Sequence, residues 1–261
     1  MQQVQDSSSF ITKPTAALIL QNGMVFWGRG MGAKTSSIGE LCFNTSQTGY
    51  QEILTDPSYT KQIITFTFPH IGIVGTNQLD IESSKIYASG CIINQSNHHH
   101  SNWRSTSELD TFFVKNNTPC ITNIDTRFLT RLLSSQGAMK AAIIHFENNK
   151  HNIDILKKQI NEWQGLENLD LASLVSTKKE YEIKEGIWDI KKNNFSIKNK
   201  PQYNIACLDF GLKRNIARNL NNQFFSTKIL PANSSFKDIL KIKPKGVFLS
   251  NGPGDPFATG K

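Results

Sequence analysis

Three features that carry function in other proteins are missing from this sequence. No apolar run approaches the roughly 20 residues needed to cross a bilayer, so we expect no membrane partner. The four cysteines lie far apart and form no CxxC pair, which argues against a zinc site. The first residues, MQQVQDSSSFITKPT, contain no basic segment followed by an apolar one. We therefore do not expect secretion, and we predict reduced thiols and a cytoplasmic location.

A catalytic nucleophile is also missing. Neither GxCxG nor GxSxG, the turns that expose a cysteine or serine for attack, occurs in the chain. None of the cysteines lies between glycines at a strand-to-helix turn; they are Cys42, Cys91, Cys120 and Cys207. No His–Glu pair is placed to activate a thiol. We therefore assign no catalytic residue and no metal ligand.

The composition is that of a globular protein with a basic surface. Apolar residues make up 38% of the 261 residues, which is enough for a core and argues against general disorder. The net charge of +8 raises nucleic acid as a partner. The lysines, however, are scattered among asparagines, and no arginine cluster alternates with aromatic residues. We therefore interpret them as a solvated surface and expect no nucleic-acid binding.

Three short motifs resemble ligand sites but fail on spacing or context. GRGMG, residues 28–32, departs from the GxGxxG dinucleotide motif and precedes no amphipathic helix, so it indicates a glycine-rich hairpin. GDPFATGK, residues 254–261, has five residues between its glycines where a phosphate loop has four. The histidine run 98–100 has no carboxylate or cysteine at ligand spacing and indicates a solvated loop.

The N-terminal part predicts a flexible tail over residues 1–14 and a β-rich domain over 15–165. AALIL and MVFWG are joined by Asn-Gly, which favours a tight hairpin turn. A helix is predicted over 126–136, with Asp125 as its N-cap and Gly137 at its C-terminus. The apolar face of this helix comprises Phe128, Leu129, Leu132 and Leu133. Further strands are predicted at 40–44, 62–68, 85–93 and 141–146, and a further helix at 152–162.

The composition changes after residue 165. Residues 166–202 predict a linker, because the stretch KKNNFSIKNKPQ at its end is polar, basic and without periodicity. Residues 203–261 then alternate strands and helices: NIACLDF, KRNIARNLNN, FSTKIL, SSFKDILKI and GVFLS. This alternation predicts parallel strands with crossover helices and leaves one or both sheet edges unpaired. The chain is thus α/β overall.

The turn SNGPGDP, residues 250–256, follows the last predicted strand. Gly252 and Gly254 carry no Cβ, so the backbone can approach a ligand, and Pro253 stiffens the turn between them. At the carboxyl end of a parallel strand, such a turn can direct N–H groups at a developing negative charge, as an oxyanion hole does. It can equally be a stiff turn that only leaves the sheet. The segment around Ser58, Asp-Pro-Ser-Tyr, is on its residues alone a turn former.

Longer blocks resemble a known family. GELCFNTSQTGYQEILTDPSYTKQIITFTFPHIGIVGTN, residues 39–77, resembles the signature region of the small subunit of glutamine-hydrolysing carbamoyl-phosphate synthase. SNWR, IDTRFLTRLL, LDFGLKRNI and FLSNGPGDP resemble further blocks of that family, in the same order. The resemblance covers nearly the whole chain from Ala16 onward. It is far more specific than any single motif above.

The resemblance implies a fold and a function. The fold is an N-terminal β-rich α+β domain over 15–165, followed over 203–261 by the first part of a parallel-sheet class I glutamine amidotransferase domain. The function is that of a subunit that hydrolyses L-glutamine and passes ammonia to a large subunit. The large subunit binds ATP and Mg²⁺ and makes carbamoyl phosphate for arginine and pyrimidine biosynthesis. No cofactor is expected in this chain.

The family also implies the site residues. Ser58 would help to hold glutamine, and Gly252 and Gly254 would lie in the glutamine site and oxyanion region. The family's cysteine elbow, GxCLGHQ, and its later His-Pro-Glu follow SNGPGDP, and neither occurs in the 261 residues. We therefore expect a truncated amidotransferase domain without glutaminase activity. Two alternatives remain: a non-catalytic partner of the large subunit and a non-functional gene remnant.

Overall fold

The structure is a computed structural model of the chain and describes residues 13–96, 99–146, 153–197 and 201–259. These residues form two compact units. The first comprises the described residues up to Thr55, Lys61–Asp80 and Lys85–Leu166. The second comprises Asp56–Thr60, Ile81–Ser84 and the described residues from Glu167 onward. Two short segments from the N-terminal half of the chain thus belong to the second unit.

A closed sheet of seven strands forms the first unit. The strands are β1 (Ala16–Leu20), β2 (Val25–Gly32), β3 (Ser36–Asn44), β4 (Gln62–Phe66), β5 (Gly90–Ile92), β6 (Pro119–Thr122) and β7 (Met139–His145). Their order is β1-β2-β6-β5-β4-β3-β7, and β7 pairs back onto β1. β1 and β2 pair antiparallel with Leu18 opposite Phe26, which confirms the predicted hairpin. The strand predicted over 85–93 is wrong in length, because only Gly90–Ile92 pairs with neighbours.

Four helices belong to the same unit: α1 (Tyr50–Thr55), α2 (Leu109–Lys115), α3 (Thr126–Gln136) and α4 (Ile153–Glu162). The predicted bounds and caps of α3 are confirmed. Asp125 Oδ1 accepts a hydrogen bond from Phe128 N over 2.8 Å, and Gly137 ends the helix at a φ of 82°. Asp125 therefore satisfies one of the free N–H groups of the first turn.

The core of the first unit lies inside the closed sheet. Three leucines of α3, Leu129, Leu132 and Leu133, pack there against inward side chains of the strands, among them Ile63 and Ile121. Phe128 was predicted on the same face, but it is 38% exposed and lies beside Phe26, so the buried face is narrower than predicted.

The glycine-rich stretch 28–32 lies within β2 and its hairpin, as predicted. A Cβ at Gly28 would overlap the carbonyl oxygen of Thr122 in the neighbouring β6. Glycine is needed at this position because the two backbones approach closely. The stretch is therefore a packing feature of the sheet.

Of the histidine run 98–100, His98 lies outside the described residues, and His99 and His100 are exposed. Within the described ranges, no group of three or more His, Cys, Asp and Glu side chains could hold a metal ion. In the same ranges, every helix is too short or too polar to cross a bilayer.

The second unit is built on a four-stranded sheet. The described strands of the whole unit, in chain order, are β8 (Tyr181–Ile183), β9 (Glu185–Asp189), β10 (Asn194–Ile197), β11 (Tyr203–Asp209), β12 (Phe225–Pro231) and β13 (Gly246–Leu249). Its helices are α5 (Leu171–Val175), α6 (Arg214–Gln223), α7 (Phe236–Lys241) and α8 (Pro256–Thr259), besides a 3-10 turn at Pro57–Tyr59. The sheet order is β13-β11-β12-β8, and β9 and β10 form a separate ribbon.

The predicted parallel pairing is confirmed. Cys207 in β11 lies opposite Ile229 in β12 on one side and Phe248 in β13 on the other, and both pairs are parallel. β8 runs antiparallel to β12 and covers that edge of the sheet. Among the described strands β13 has one neighbour only, so the prediction of an unpaired edge holds on the β13 side. The α/β fold, with a β-rich first unit and parallel strands in the second, is as predicted.

The structure corrects the prediction of a linker over residues 166–202, since α5, β8, β9 and β10 lie there and belong to the second unit. The ribbon of β9 and β10 packs on α6 through Arg218, whose guanidinium binds Glu185 over 2.9 Å and stacks 3.5 Å above the ring of Phe195. Asn221 donates to the carbonyls of Ile183 and Glu185. The hydrogen-bonded partners, Arg218 with Glu185 and Asn221 with Ile183, are more than 30 residues apart, so no local sequence pattern reveals them.

Candidate functional site

The turn that follows β13 lies at the carboxyl end of the parallel strands. Leu208 in β11 is in register with Leu249 in β13, so the turns after the two strands leave the sheet at the same end. The Ser250 hydroxyl accepts from Phe210 N over 2.9 Å and donates to the carbonyl of Asn251 over 2.7 Å. This serine therefore ties the turn after β11 to the turn after β13.

Packing between these two turns requires glycine at residue 252. A Cβ on Gly252 would overlap the carbonyl oxygen of Phe210. Gly211, at a φ of 124°, also packs tightly against this turn, because a Cβ there would lie 2.9 Å from Pro253 Cδ. Gly254 has a φ of 82°, a conformation that favours glycine. The glycines predicted as site residues thus have structural reasons for being glycine.

Gly252 and Gly254 also present hydrogen-bond donors. Both residues are exposed, whereas Pro253 between them is buried. Within residues 201–259 and the other described ranges, no acceptor takes the N–H of Gly252 or of Gly254. Two backbone donors are therefore left without a protein acceptor among the described residues, as a site for an oxygen anion requires.

Asp209 fixes the turn that supports these glycines. Its Oδ1 accepts from Gly211 N over 2.9 Å and Leu212 N over 2.8 Å. Its Oδ2 accepts from Thr177 N over 2.8 Å. A buried carboxylate that accepts three N–H bonds is well satisfied, so the turn after β11 forms a rigid support for Pro253.

Ser58 lies next to the glycine turn. Asp56 caps the 3-10 turn at Pro57–Tyr59, and its Oδ1 accepts from Ser58 N over 2.9 Å. Ser58 Oγ accepts from Asn251 Nδ2 over 3.0 Å. The structure thus places Ser58 beside the residue that precedes Gly252, within the second unit.

Lys213 and Asn251, which were not predicted as site residues, connect Asp56 to the Ser58 hydroxyl. Lys213 Nζ pairs with Asp56 Oδ2 over 2.7 Å, and Lys213 N donates to Asn251 Oδ1 over 3.3 Å. The contacts form a closed ring: Ser58, Asp56, Lys213, Asn251 and back to Ser58. Partial burial by itself would lower the pKa of Lys213. The hydrogen bond to Asp56 and the negative charge of Asp56 outweigh this effect, so the pKa lies above its usual value. No local signal marks Asn251 or Lys213, because each acts through partners far away in the chain.

The cysteines are poorly suited to nucleophilic attack. Burial raises the pKa of Cys42 and of Cys207 to about 12, and it raises the pKa of Cys120 as well. Cys91 is fully buried in β5. A thiol attacks as its thiolate, so a raised pKa suppresses its reactivity.

Comparison with known proteins identifies related sequences. Residues 18–143 match the family described as carbamoyl-phosphate synthase small chain, CPSase domain, and residues 206–261 match glutamine amidotransferase class-I. A carbamoyl phosphate synthase small chain from Bradyrhizobium diazoefficiens is 45% identical over 253 residues, which cover 95% of this chain and 64% of the relative. Those from Zymomonas mobilis and Escherichia coli are 42% and 44% identical over 93% of this chain.

The match is continuous through both units but does not extend over the whole of the relatives. The chain spans 64% of the Bradyrhizobium protein, 65% of the Zymomonas protein and 63% of the Escherichia protein. The first family match lies on the closed sheet, and the second begins inside β11 and includes the SNGPGDP turn. By sequence, and by the order of the two matched regions, the chain is similar to the carbamoyl-phosphate synthase small chains over residues 18–143 and 206–261.

Proposed function

We propose that this chain is the small, glutamine amidotransferase subunit of a carbamoyl-phosphate synthase. In this role it supplies ammonia from L-glutamine to a large subunit that makes carbamoyl phosphate for arginine and pyrimidine biosynthesis. The observation that carries the proposal is the position of Ser58 beside the glycine turn. The free thiols of all four cysteines suit the reducing cytoplasm in which we propose that the subunit works.

The site residues have distinct proposed roles. The N–H groups of Gly252 and Gly254 bind oxygen atoms of glutamine, including the oxygen that becomes negatively charged during hydrolysis. The hydroxyl of Ser58 binds a polar group of the same substrate. ATP and Mg²⁺ are proposed ligands of the large subunit, and this chain contributes no residue to them.

We further propose that the 261-residue polypeptide does not hydrolyse glutamine by itself. Its sequence contains no cysteine elbow, and burial raises the pKa of three of its four thiols. Oxyanion donors without an attacking thiolate give only a residual rate enhancement. The test is ammonia release from L-glutamine by the purified chain, alone and with a large subunit. Enzyme-like release by the chain alone, lost when one cysteine is replaced, would contradict this proposal.

A second candidate function is docking to the large subunit without catalysis. The closed sheet of the first unit favours it, because all seven strands pair on both sides and the core is enclosed. Such a subunit would support synthesis from free ammonia. Pull-down with the large subunit measures this directly, and absence of a complex at micromolar concentrations would exclude it. Aggregation without a cooperative melting transition would instead favour a non-functional remnant.

A further inference from the structure

Asn251 has a side-chain orientation that its neighbours determine. The backbone N–H of Lys213 can only donate, so the atom of Asn251 that faces it is Oδ1, at 3.3 Å. The amide nitrogen Nδ2 therefore points to Ser58 Oγ, at 3.0 Å. A reversed amide would place two donors against each other at Lys213 and is excluded for that reason.

This orientation determines what the Ser58 hydroxyl can do. A serine hydroxyl has one hydrogen to donate and two lone pairs to accept with. One lone pair of Ser58 Oγ is occupied by Asn251. The hydroxyl hydrogen has no acceptor among the described residues, and the side chain is only half-buried. Ser58 is thus left as a hydrogen-bond donor that reaches solvent.

The rest of the ring holds Ser58 in place. Asp56 accepts from Ser58 N with one carboxylate oxygen and pairs with Lys213 through the other. Asp56 is buried, so its carboxylate is shielded from water, whereas the Lys213 side chain remains partly exposed. The same Lys213 donates its backbone N–H to Asn251. Backbone and hydroxyl of Ser58 are therefore both positioned by one connected set of contacts.

We infer that Asn251 is a positioning residue that makes Ser58 a hydrogen-bond donor to an acceptor oxygen, a carboxylate or carboxamide oxygen, of the bound substrate. This inference rests on the proposed function, which places glutamine at this turn. Gly252 follows Asn251 directly, and its N–H, which has no acceptor among the described residues, adds a second donor in the same turn. Donors, not acceptors, therefore dominate this side of the site.

The test is a double-mutant cycle on glutamine binding. L-Glutamine is titrated calorimetrically into the unaltered 261-residue chain and into Ser58→Ala, Asn251→Ala, Asn251→Asp and the Ser58→Ala/Asn251→Ala double variant. Loss of one hydrogen bond to a charged or polar ligand group weakens binding by about tenfold. We expect about this loss for each single replacement by alanine. In the Ser58→Ala background, Asn251→Ala is expected to change affinity by less than about twofold, because its effect passes through Ser58.

The remaining variants separate positioning from other effects. Asn251→Asp keeps the acceptor for Lys213 N but offers Ser58 a carboxylate, which captures its hydroxyl hydrogen, so binding weakens by at least about tenfold. Asn219→Ala, on the exposed side of α6, removes an amide that bonds only within its helix and is the matched control with unchanged affinity.

Each outcome decides one question. If Asn251→Ala weakens binding equally with and without Ser58, the inference is overturned and the proposed glutamine site stands. If the unaltered chain does not bind L-glutamine at millimolar concentration, the proposed glutamine site is overturned. The same cycle on thermal unfolding then tests the contact between Asn251 and Ser58 by itself. Non-additive changes in Tm support the Asn251–Ser58 contact, and additive changes overturn it.

Discussion

The side-chain amide of Asn251 donates to Ser58 Oγ over 3.0 Å, although 193 residues separate the two in the chain. They meet because the 3-10 turn at Pro57–Tyr59 belongs to the second unit, where the turn after β13 also lies. Asp56 and Lys213 close the ring on the other side with an ion pair of 2.7 Å. Three segments, from residues 56–58, 213 and 251, are thereby joined by polar contacts.

Replacement of Gly252 by alanine tests the packing of the turn. The added Cβ would overlap the carbonyl oxygen of Phe210, and the hydrogen bond from Phe210 N to Ser250 Oγ holds the two backbone segments together. We expect a loss of about 3 kcal/mol in the free energy of unfolding, measured by urea denaturation. Gly246→Ala is the control, since its Cβ would lie 3.2 Å from the flexible end of Ile205 and should cost less than about 1 kcal/mol. Equal losses in the two variants would contradict this account of the turn.

Replacement of Lys213 by methionine tests the buried ion pair. The Asp56 side chain is only 4% exposed, so it would remain as a buried charge without a cation. We expect a loss of about 2 kcal/mol in unfolding free energy, less than for a fully buried pair because the Lys213 side chain is 41% exposed.

Asp56→Asn in the Lys213→Met background is the matched comparison. It removes the stranded charge but keeps an oxygen that can accept from Ser58 N. Chemical denaturation should therefore show a recovery of at least about half of the lost stability. A double variant less stable than Lys213→Met would show that Asp56 acts mainly through other contacts.

The thiols should be inert in the folded protein. At pH 8 a thiol whose pKa is about 12 is ionised in about one molecule in 10,000, and this applies to Cys42 and Cys207. We expect a thiol-specific disulfide reagent to react slowly with the native chain and to label all four cysteines rapidly in guanidinium. Free cysteine at the same pH gives the reference rate. A native thiol that reacts as fast as free cysteine would refute the burial of that residue.

His145 should make the first unit less stable in mild acid. Burial lowers the pKa of His145 below its usual value of 6.5, although a hydrogen bond to the carbonyl of Cys120, at 2.8 Å, opposes the shift. Because the unfolded chain then binds the proton more readily than the folded one, stability is full above pH 6.5. It falls as the pH decreases through 6.5 towards the lower folded pKa. Melting temperatures between pH 7.5 and 5 should therefore decrease less in His145→Gln than in the unaltered chain. Identical pH profiles would show that His145 does not contribute.

Elements with a strong local signal were predictable. The bounds of α3 and its caps at Asp125 and Gly137 are confirmed, because capping acts within one helical turn. The alternation after residue 203 predicted parallel pairing, because short strand–helix–strand units have few other solutions. The strand β8 was missed, because three residues carry no detectable period and their pairing partner lies in β12.

The candidate site was predictable only in part. Ser58, Gly252 and Gly254 were named on the family resemblance, whereas the turn chemistry alone left Gly252 and Gly254 open to a purely structural interpretation. Asn251 and Lys213 carried no signal of their own. Their roles arise from hydrogen bonds to partners 38 or more residues away. Arg218 is a similar case, because it resembles a surface arginine in sequence and is buried between Glu185 and Phe195.

The sequence by itself determined the local elements, the β-rich first part, the parallel strands of the second and the turn that follows them. Each depends on residues within one or two turns of each other, so propensity, period and glycine placement suffice. Only the tertiary structure decided that Ser58 lies beside Asn251, that β8 covers one edge of the sheet, and that burial raises the pKa of three of the four thiols. These properties depend on distance and burial between residues far apart in the chain, which a linear pattern does not encode.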